Sequence, residues 1–359
     1  MRAVRVHAYH EPPRLEEVPE PTVSGPHDVI VEIGGAGLCR TDLHIIEGQW
    51  AEISGVQLPY TIGHENAGWV TEVGSAVTNV AVGDTVILHP TPTCGLCLAC
   101  RAGDDVHCEN SSFPGIDSDG GWRSTCTPTP GPASKLDEGT NPQDVAALAD
   151  AGITAYHAVR KAMRLLHPGT HCVVVGAGGL GHIGIQSLAA LTATEITVVD
   201  PNPEALELAE QIGAHHTVLA DGSQVDQVAE ISHGGAQVVL DFVGEAGAEK
   251  QAPALLKNGG SHFVIGYGGA LDLDTIQIVS REINVIGNLV GTYNDLVELM
   301  NLAQRGLVTL HTQTYPLDAV HDAIADLEHG RIRGRGTSSP SRPLHPPPPG
   351  GHRRVREEW

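Results

Sequence analysis

Cys94, Cys97, Cys100 and Cys108 stand at C-x2-C-x2-C-x7-C spacing, among Gly95, Gly103, Asp104 and Asp105. Four thiolates on such a loop match a closed tetrahedral structural zinc site, which keeps no coordination position open and does no chemistry. A ferredoxin run places its fourth cysteine after three residues and follows it with proline, whereas here the gap is seven and Glu109 follows. The remaining alternative is four unligated buried thiols. A second set of groups could form a reactive centre: Cys39-Arg40-Thr41-Asp42-Leu43-His44 and, further on, Gly63-His64-Glu65. Of the other cysteines, Cys126 has no such neighbours and Cys172 opens an apolar strand, where a core position is expected.

A phosphate-binding turn follows that strand. Val173-Val174-Val175-Gly176-Ala177-Gly178-Gly179-Leu180-Gly181 is a G-x-G-x-x-G run between an apolar strand and a helix. Gly176 permits the tight turn, Gly178 lets a pyrophosphate approach the backbone, and Gly181 lets helix and strand pack closely. The helix N-terminus then faces the anion. Asp200, 19 residues after Gly181, stands where a carboxylate accepts hydrogen bonds from the adenosine ribose. It repels a 2′-phosphate, and Pro201, Asn202 and Pro203 offer no cation to receive one, so NAD is expected over NADP.

These groups need two kinds of scaffold. Short strands at Val29–Ile33, Gly68–Val73 and Asp84–Leu88 between Gly and Pro turns make the first 150 residues β-rich. From about residue 170 strands alternate with helices: Cys172–Val175, Ile196–Val199, Gln237–Leu240, Ser261–Ile265 and Asn284–Ile286. That alternation predicts a parallel sheet with crossover helices. Asn202 suits an N-cap and Pro203 a first turn, with Ala205, Leu208, Ala209 and Ile212 on one face before Gly213. Helical patterns at Asp295–Gln304 and Asp318–Glu328 suggest a return to the first domain. From Gly336 the composition turns to Ser, Pro, Gly, His and Arg, and no packed structure is expected there.

Composition narrows the function. The 359 residues carry 21 Lys plus Arg against 43 Asp plus Glu, a net charge of −22 that repels nucleic acid and anionic lipid. The acidic surface could reflect life in salt, or solubility and codon bias alone. The N-terminus has no signal-peptide core, and the most apolar stretch, Val173–Val199, is interrupted by glycines, His182, Gln186 and Glu195, so no membrane span is expected. Clustered cysteines suit a reducing cytoplasm with bound metal.

The chain resembles the zinc-dependent medium-chain alcohol dehydrogenases from residue 1 to about Arg335. The resemblance is carried by Cys39-Arg40-Thr41-Asp42, Gly63-His64-Glu65, the four-cysteine loop and the glycine run. It implies α/β architecture: a β-rich GroES-like catalytic domain over 1–150, completed by 289–335, and a doubly wound Rossmann NAD domain over 151–288. It also implies two zinc ions per chain. The catalytic one would be held by Cys39, His64 and Asp150, with aspartate where other members have cysteine, as in the bacterial branch active on secondary alcohols. Without the resemblance Asp150 would pass as a helix cap.

By the same resemblance Thr41 takes the alcohol proton and His44 passes it through the ribose to solvent; read without it, Glu65 would pass as an indirect or exchanging ligand beside the metal. Asp42 would orient His64. Arg40 and Arg335 would meet the pyrophosphate, with Gly178, Gly179, Leu180 and Gly181 around it. Gly266, in Val264–Tyr267, and Val290, in Asn288–Val290, would flank the nicotinamide. Trp50 and Trp122 are candidates for an apolar substrate wall or for core.

The expected reaction is reversible hydride transfer between a primary or secondary alcohol and NAD, in a homodimer or homotetramer. Rivals are a polyol or hydroxyacid dehydrogenase of the same fold, or a nucleotide-sensing relative without catalysis. Residues 336–359 depart from the family, which ends on a short apolar strand. Their bias resembles out-of-frame translation, and a disordered tail is expected.

Overall fold

A computed structural model describes residues 1–126 and 133–339, whose strands form three sheets. The largest runs in the order Thr312–Pro316, Arg335–Ser339, Val29–Leu38, Asn66–Val73, Thr85–Leu88, Ala133–Lys135, with Thr125–Cys126 also paired to Val29–Leu38. The expected strand at Val29–Ile33 thus extends through Leu38, and all ten of its residues are buried. Small residues allow this: a side chain on Gly37 would collide with Glu65. Arg2–Val6, Arg14–Glu17 and Tyr60–Thr61 make a small second sheet.

The third sheet is six-stranded and parallel throughout. Its order, His216–Leu219, Glu195–Asp200, His171–Val175, Ala236–Asp241, Leu256–Val264, Asn284–Gly287, is the doubly wound one. Helices cover its faces, which is why Val173, Val174 and Val175 are all buried and read as a continuous apolar run rather than an alternating one. The strand order reverses between His171–Val175 and Ala236–Asp241, so a crevice opens at their carboxyl ends, beside Gly176 and Phe242.

The helix after Asp200 runs Pro203–Gln211, and the Asn202 side chain accepts the Glu204 N–H at 2.9 Å as a cap should. Its buried face is Leu206, Leu208 and Ala209, with Ala205 and Ile212 only half-buried at the margin. Helix Tyr293–Gln304 starts two residues before the expected Asp295, and Val320–Glu328 follows a short 3-10 turn. No helix among the described residues is long and apolar enough to cross a membrane.

One expectation needs correction. Residues 336–339 are not an unpacked tail: Arg335–Ser339 is a strand between Thr312–Pro316 and Val29–Leu38, with Gly336 opposite Leu38 and Ser338 opposite Ala36. Thr337 and Ser338 are buried there, and Thr314 Oγ1 lies 3.3 Å from Thr337 Oγ1. Ladder hydrogen bonds are made by the backbone, so small polar residues can occupy a central strand that composition alone argues against. The expectation for 340–359 lies outside the described residues. Trp122 is core, 1% exposed, with its indole N–H donated to Gly37 O at 3.0 Å.

Candidate active site

Three chain segments end at one point. Cys39 closes strand Val29–Leu38 and stands at the N-cap of helix Arg40–Ile46, His64 follows strand Tyr60–Thr61, and Asp150 stands at the N-cap of helix Ala151–Ala162. One ligand atom each from Cys39, His64, Glu65 and Asp150 lies within 4.8 Å of the others. The Asp150 carboxylate does not cap its helix; the Ala151 N–H is taken instead by Glu65 Oε1 at 2.9 Å. Asp150 Oδ2 is left 3.4 Å from His64 Nε2.

Buried His64 has no hydrogen-bond partner on either ring nitrogen. Burial opposes a charged ring, yet Asp42, Asp150 and Cys39 prevail and raise its pKa well above the usual value. A buried imidazole among two carboxylates and a thiol calls for a cation, and sulfur, nitrogen and oxygen donors are a catalytic zinc set. Asp42 Oδ1 is 3.5 Å from His64 Nδ1, while its Oδ2 accepts the Cys39 N–H at 2.9 Å. The carboxylate therefore holds two of the three segments in register.

Glu65 is fully buried and ion-paired with the Arg335 guanidinium, whose Nε is 3.1 Å from Oε2. Arg335, expected at the pyrophosphate, also touches the phosphate turn, since a side chain on Gly179 would meet its Nη1 at 2.6 Å.

The cluster of Cys39, His64, Glu65 and Asp150 lies against a cleft of about 750 Å³. Cys39, Arg40, Thr41, His44, Trp50, Asp150 and Arg335 line it together with Gly176, Gly178, Gly179, Leu180, Gly181, Asp200, Gly266 and Val290. A side chain added at Gly181 would run into Gly176 O, whereas one on Gly178 would enter open space. That is the cradle a pyrophosphate fills. His182 donates from Nδ1 to Gly178 O at 3.0 Å, and burial pushes its pKa down to about 4, keeping the ring neutral. Asp200 accepts the N–H groups of Ala177 at 2.7 Å and Asn202 at 2.8 Å. Val290 has φ 45°, a strained conformation for a β-branched residue, at the cleft wall.

Exposed Arg40 pairs with Glu245 across the cleft at 3.1 Å. His44 is buried with Nδ1 unpartnered, and burial lowers its pKa. Sequence reasoning singled out the segment ending at Tyr267 but not the contact it makes: its hydroxyl lies 2.9 Å from Thr41 Oγ1, 226 positions away. Phe113, Ile116 and Ile53 add apolar surface that no motif marked, beside Leu289 of the Asn288–Val290 segment.

The cysteine lobe is separate. Cys94, Cys97, Cys100 and Cys108 place their sulfurs 3.5 to 4.0 Å apart in the pairs Cys94–Cys100, Cys97–Cys100 and Cys94–Cys108. Tetrahedral Zn–S bonds of 2.3 Å imply a sulfur separation of about 3.8 Å. N–H groups of Leu96 and Cys97 pull the Cys94 thiol down to about 6, while burial and the neighbouring thiols push Cys100 up to about 12. A bound dication removes that conflict by favouring all four thiolates.

Residues 25–136 match the alcohol dehydrogenase GroES-like domain family, and residues 179–305 match the zinc-binding dehydrogenase family. An NAD-dependent alcohol dehydrogenase of Sulfurisphaera tokodaii is 34% identical over 93% of this chain and 99% of its own. The crystal structure of an alcohol dehydrogenase from Aeropyrum pernix superposes with TM-score 0.92 at 44% identity, covering 95% of this chain and all of the other. A cobalt- and zinc-bound thermostable alcohol dehydrogenase from Pyrobaculum aerophilum gives 0.82 at 26% identity, over 95% and 99% of the two chains.

Proposed function

The chain belongs to the zinc-dependent medium-chain alcohol dehydrogenases, as an NAD-dependent alcohol dehydrogenase with a structural and a catalytic zinc. From that premise we propose that Cys39, His64 and Asp150 hold the catalytic zinc, that Cys94, Cys97, Cys100 and Cys108 hold the structural one, and that secondary alcohols are the preferred substrates. The carrying observation is the convergence of thiol, imidazole and carboxylate against the cleft that also contains Gly178 and Asp200. When bound, zinc supplies the Lewis acidity that favours loss of the alcohol proton, and NAD supplies the hydride acceptor.

The chain's own groups do the rest. Thr41 Oγ1, two residues from Cys39, takes the alcohol proton. His44, kept neutral by burial, passes a proton on to solvent. Asp42 orients His64 from behind. Glu65 is a positioning residue: its carboxylate is committed to Arg335 and the Ala151 N–H, which anchors both the His64 segment and the start of the Asp150 helix. Arg335 links this anchor to Gly179, and with Arg40 it supplies charge for the pyrophosphate. Asp200 receives the adenosine ribose and disfavours a 2′-phosphate; Gly266 and Val290 flank the nicotinamide. The apolar residues Ile53, Phe113, Ile116 and Leu289 favour an alkyl or aryl ketone over a polyol.

Sheet membership supports dividing the chain into 1–150 with 289–335, and 151–288, since Thr312–Pro316 and Arg335–Ser339 lie in the sheet of Val29–Leu38; that strand carries the first unit on to 339. The edge strand Asn284–Gly287 has an open ladder, and Val285, Ile276 and Val279 are exposed beside it, which favours assembly as a homodimer or homotetramer. Clustered thiols favour a reducing cytoplasm.

A panel of primary and secondary alcohols, diols and sugars with NAD or NADP, followed at the NADH absorbance, tests this. Fastest turnover is expected with a secondary alcohol and NAD, on protein carrying two zinc ions per chain. No reduced cofactor from any alcohol would sink the reading, and a sugar or diol as best substrate would replace its substrate class.

A further inference from the structure

Resting on the assignment of Thr41 as proton acceptor, we propose that Tyr267 is a positioning residue which reaches across the cleft and holds the Thr41 hydroxyl in its proton-accepting orientation. Tyr267 lies just beyond strand Leu256–Val264, on the cofactor side, whereas Thr41, His44 and Trp50 belong to the opposite wall. Its hydroxyl is 2.9 Å from Thr41 Oγ1 and 3.1 Å from Trp50 Nε1. Its ring meets the His44 ring edge-on at 5.1 Å and the Trp50 ring at 5.9 Å. One side chain thus touches the proton acceptor, the proton carrier and the tryptophan on the cleft wall.

Hydrogen-bond inventory gives these contacts a direction. An indole N–H can only donate, so the phenol oxygen accepts from Trp50, and the proposed arrangement directs the phenol hydrogen to Thr41 Oγ1, the one of two possible directions that leaves the threonine hydrogen free. A hydroxyl oxygen has two lone pairs: Thr41 receives Tyr267 on one and keeps the other for the alcohol, while its hydrogen points onward. Without the phenol the Thr41 hydroxyl is free to rotate among staggered positions, and only some of them face the alcohol. Burial raises the phenol above its usual pKa, so the group stays protonated and acts as a fixed donor. Nothing is transferred to Tyr267, and no bond to it is made or broken.

The test uses zinc-loaded enzyme and the rate of NADH formation in a single turnover, with Thr41→Val, Tyr267→Phe, Trp50→Phe and pairwise combinations. Tyr267→Phe keeps the ring and is expected to slow the step about tenfold, with KM for an apolar secondary alcohol within about twofold and an increased solvent deuterium isotope effect. Trp50→Phe should slow it less, and the two together no more than Tyr267→Phe alone. In a Thr41→Val background, Tyr267→Phe should change nothing further. If Tyr267→Phe alters only KM, or leaves rate and isotope effect as in the parent while Thr41→Val is inactive, the proposal falls and the Thr41 assignment stands. If Thr41→Val keeps full rate, the assignment itself falls, and this proposal with it.

Discussion

The two metal-ligating regions differ in how the chain builds them. The cysteine lobe takes four identical ligands from the 15 residues Cys94–Cys108, on an exposed loop that carries Leu96 and Leu98 into solvent. The proposed cleft site would take thiol, imidazole and carboxylate from segments 25 and 86 residues apart, buried where strand and helix ends meet. A set that saturates the ion can be local because it does nothing but hold the loop. One that leaves a corner for substrate must also face a second ligand, and only distant segments can bring the hydride acceptor opposite that corner.

The largest expected effect separates the regions by activity. Cys39→Ser should reduce turnover at least about 1,000-fold, because the Lewis acid loses a ligand, while NAD affinity by fluorescence titration changes little. Turnover within tenfold of the parent would show that the open site is elsewhere. Cys100→Ser should do the reverse, lowering Tm by about 10 °C, as expected for a loss of a few kcal/mol in a domain of this size, with turnover of the folded fraction nearly unchanged. Zinc analysis should then find one ion per chain in each variant; a Cys100→Ser protein that is stable but inactive would erase the distinction.

pH should also divide them. Burial depresses the His44 pKa, so the neutral, proton-accepting ring persists below the usual histidine range. The single-turnover rate should therefore hold down to about pH 6.5 and fall roughly tenfold only below it. His44→Gln should be slow at neutral pH and lose that acid limb; a limb that survives in the variant belongs to another group.

The smallest effect concerns the lobe's anchor. Asp105 accepts the Tyr293 N–H at 3.1 Å, and helix Tyr293–Gln304 is held in turn by Asp295. Burial would raise the Asp295 carboxyl, but His157 at 2.8 Å, the Thr292 N–H and hydroxyl, and Arg160 at 2.7 Å overcome it and hold it below the usual carboxylate range. A depressed carboxylate contributes its full stability above its unfolded pKa of about 3.9 and loses it as pH falls through the folded value. Asp295→Asn should lower Tm by roughly 5 °C at pH 7, with the gap closing as the medium approaches pH 2. A constant gap would mean the residue acts by shape alone.

Much of this was legible in the chain. The glycine run, Asp200 and the four cysteines carry their meaning in spacing, because each works within one loop or one strand–turn–helix unit. Cys39 and His64 were legible as reactive types, but their partnership came from resemblance. Asp150 in particular reads locally as a cap, and only because Glu65 takes the Ala151 N–H is its carboxylate left beside His64. Residues 336–339 were misread because composition reports side chains while strand pairing is a backbone matter. Trp122 was left open because a tryptophan's role depends on which side of the wall it faces.

The amino-acid order by itself determined the parallel sheet, the phosphate turn and the closed thiolate loop, since their physics runs over a few neighbouring residues. Only the tertiary structure decided that Arg335 binds Glu65 as well as reaching the phosphate turn, and that Tyr267 meets Thr41. Such contacts join residues more than 200 positions apart, and a short-range, directional hydrogen bond leaves no periodicity by which sequence could announce it.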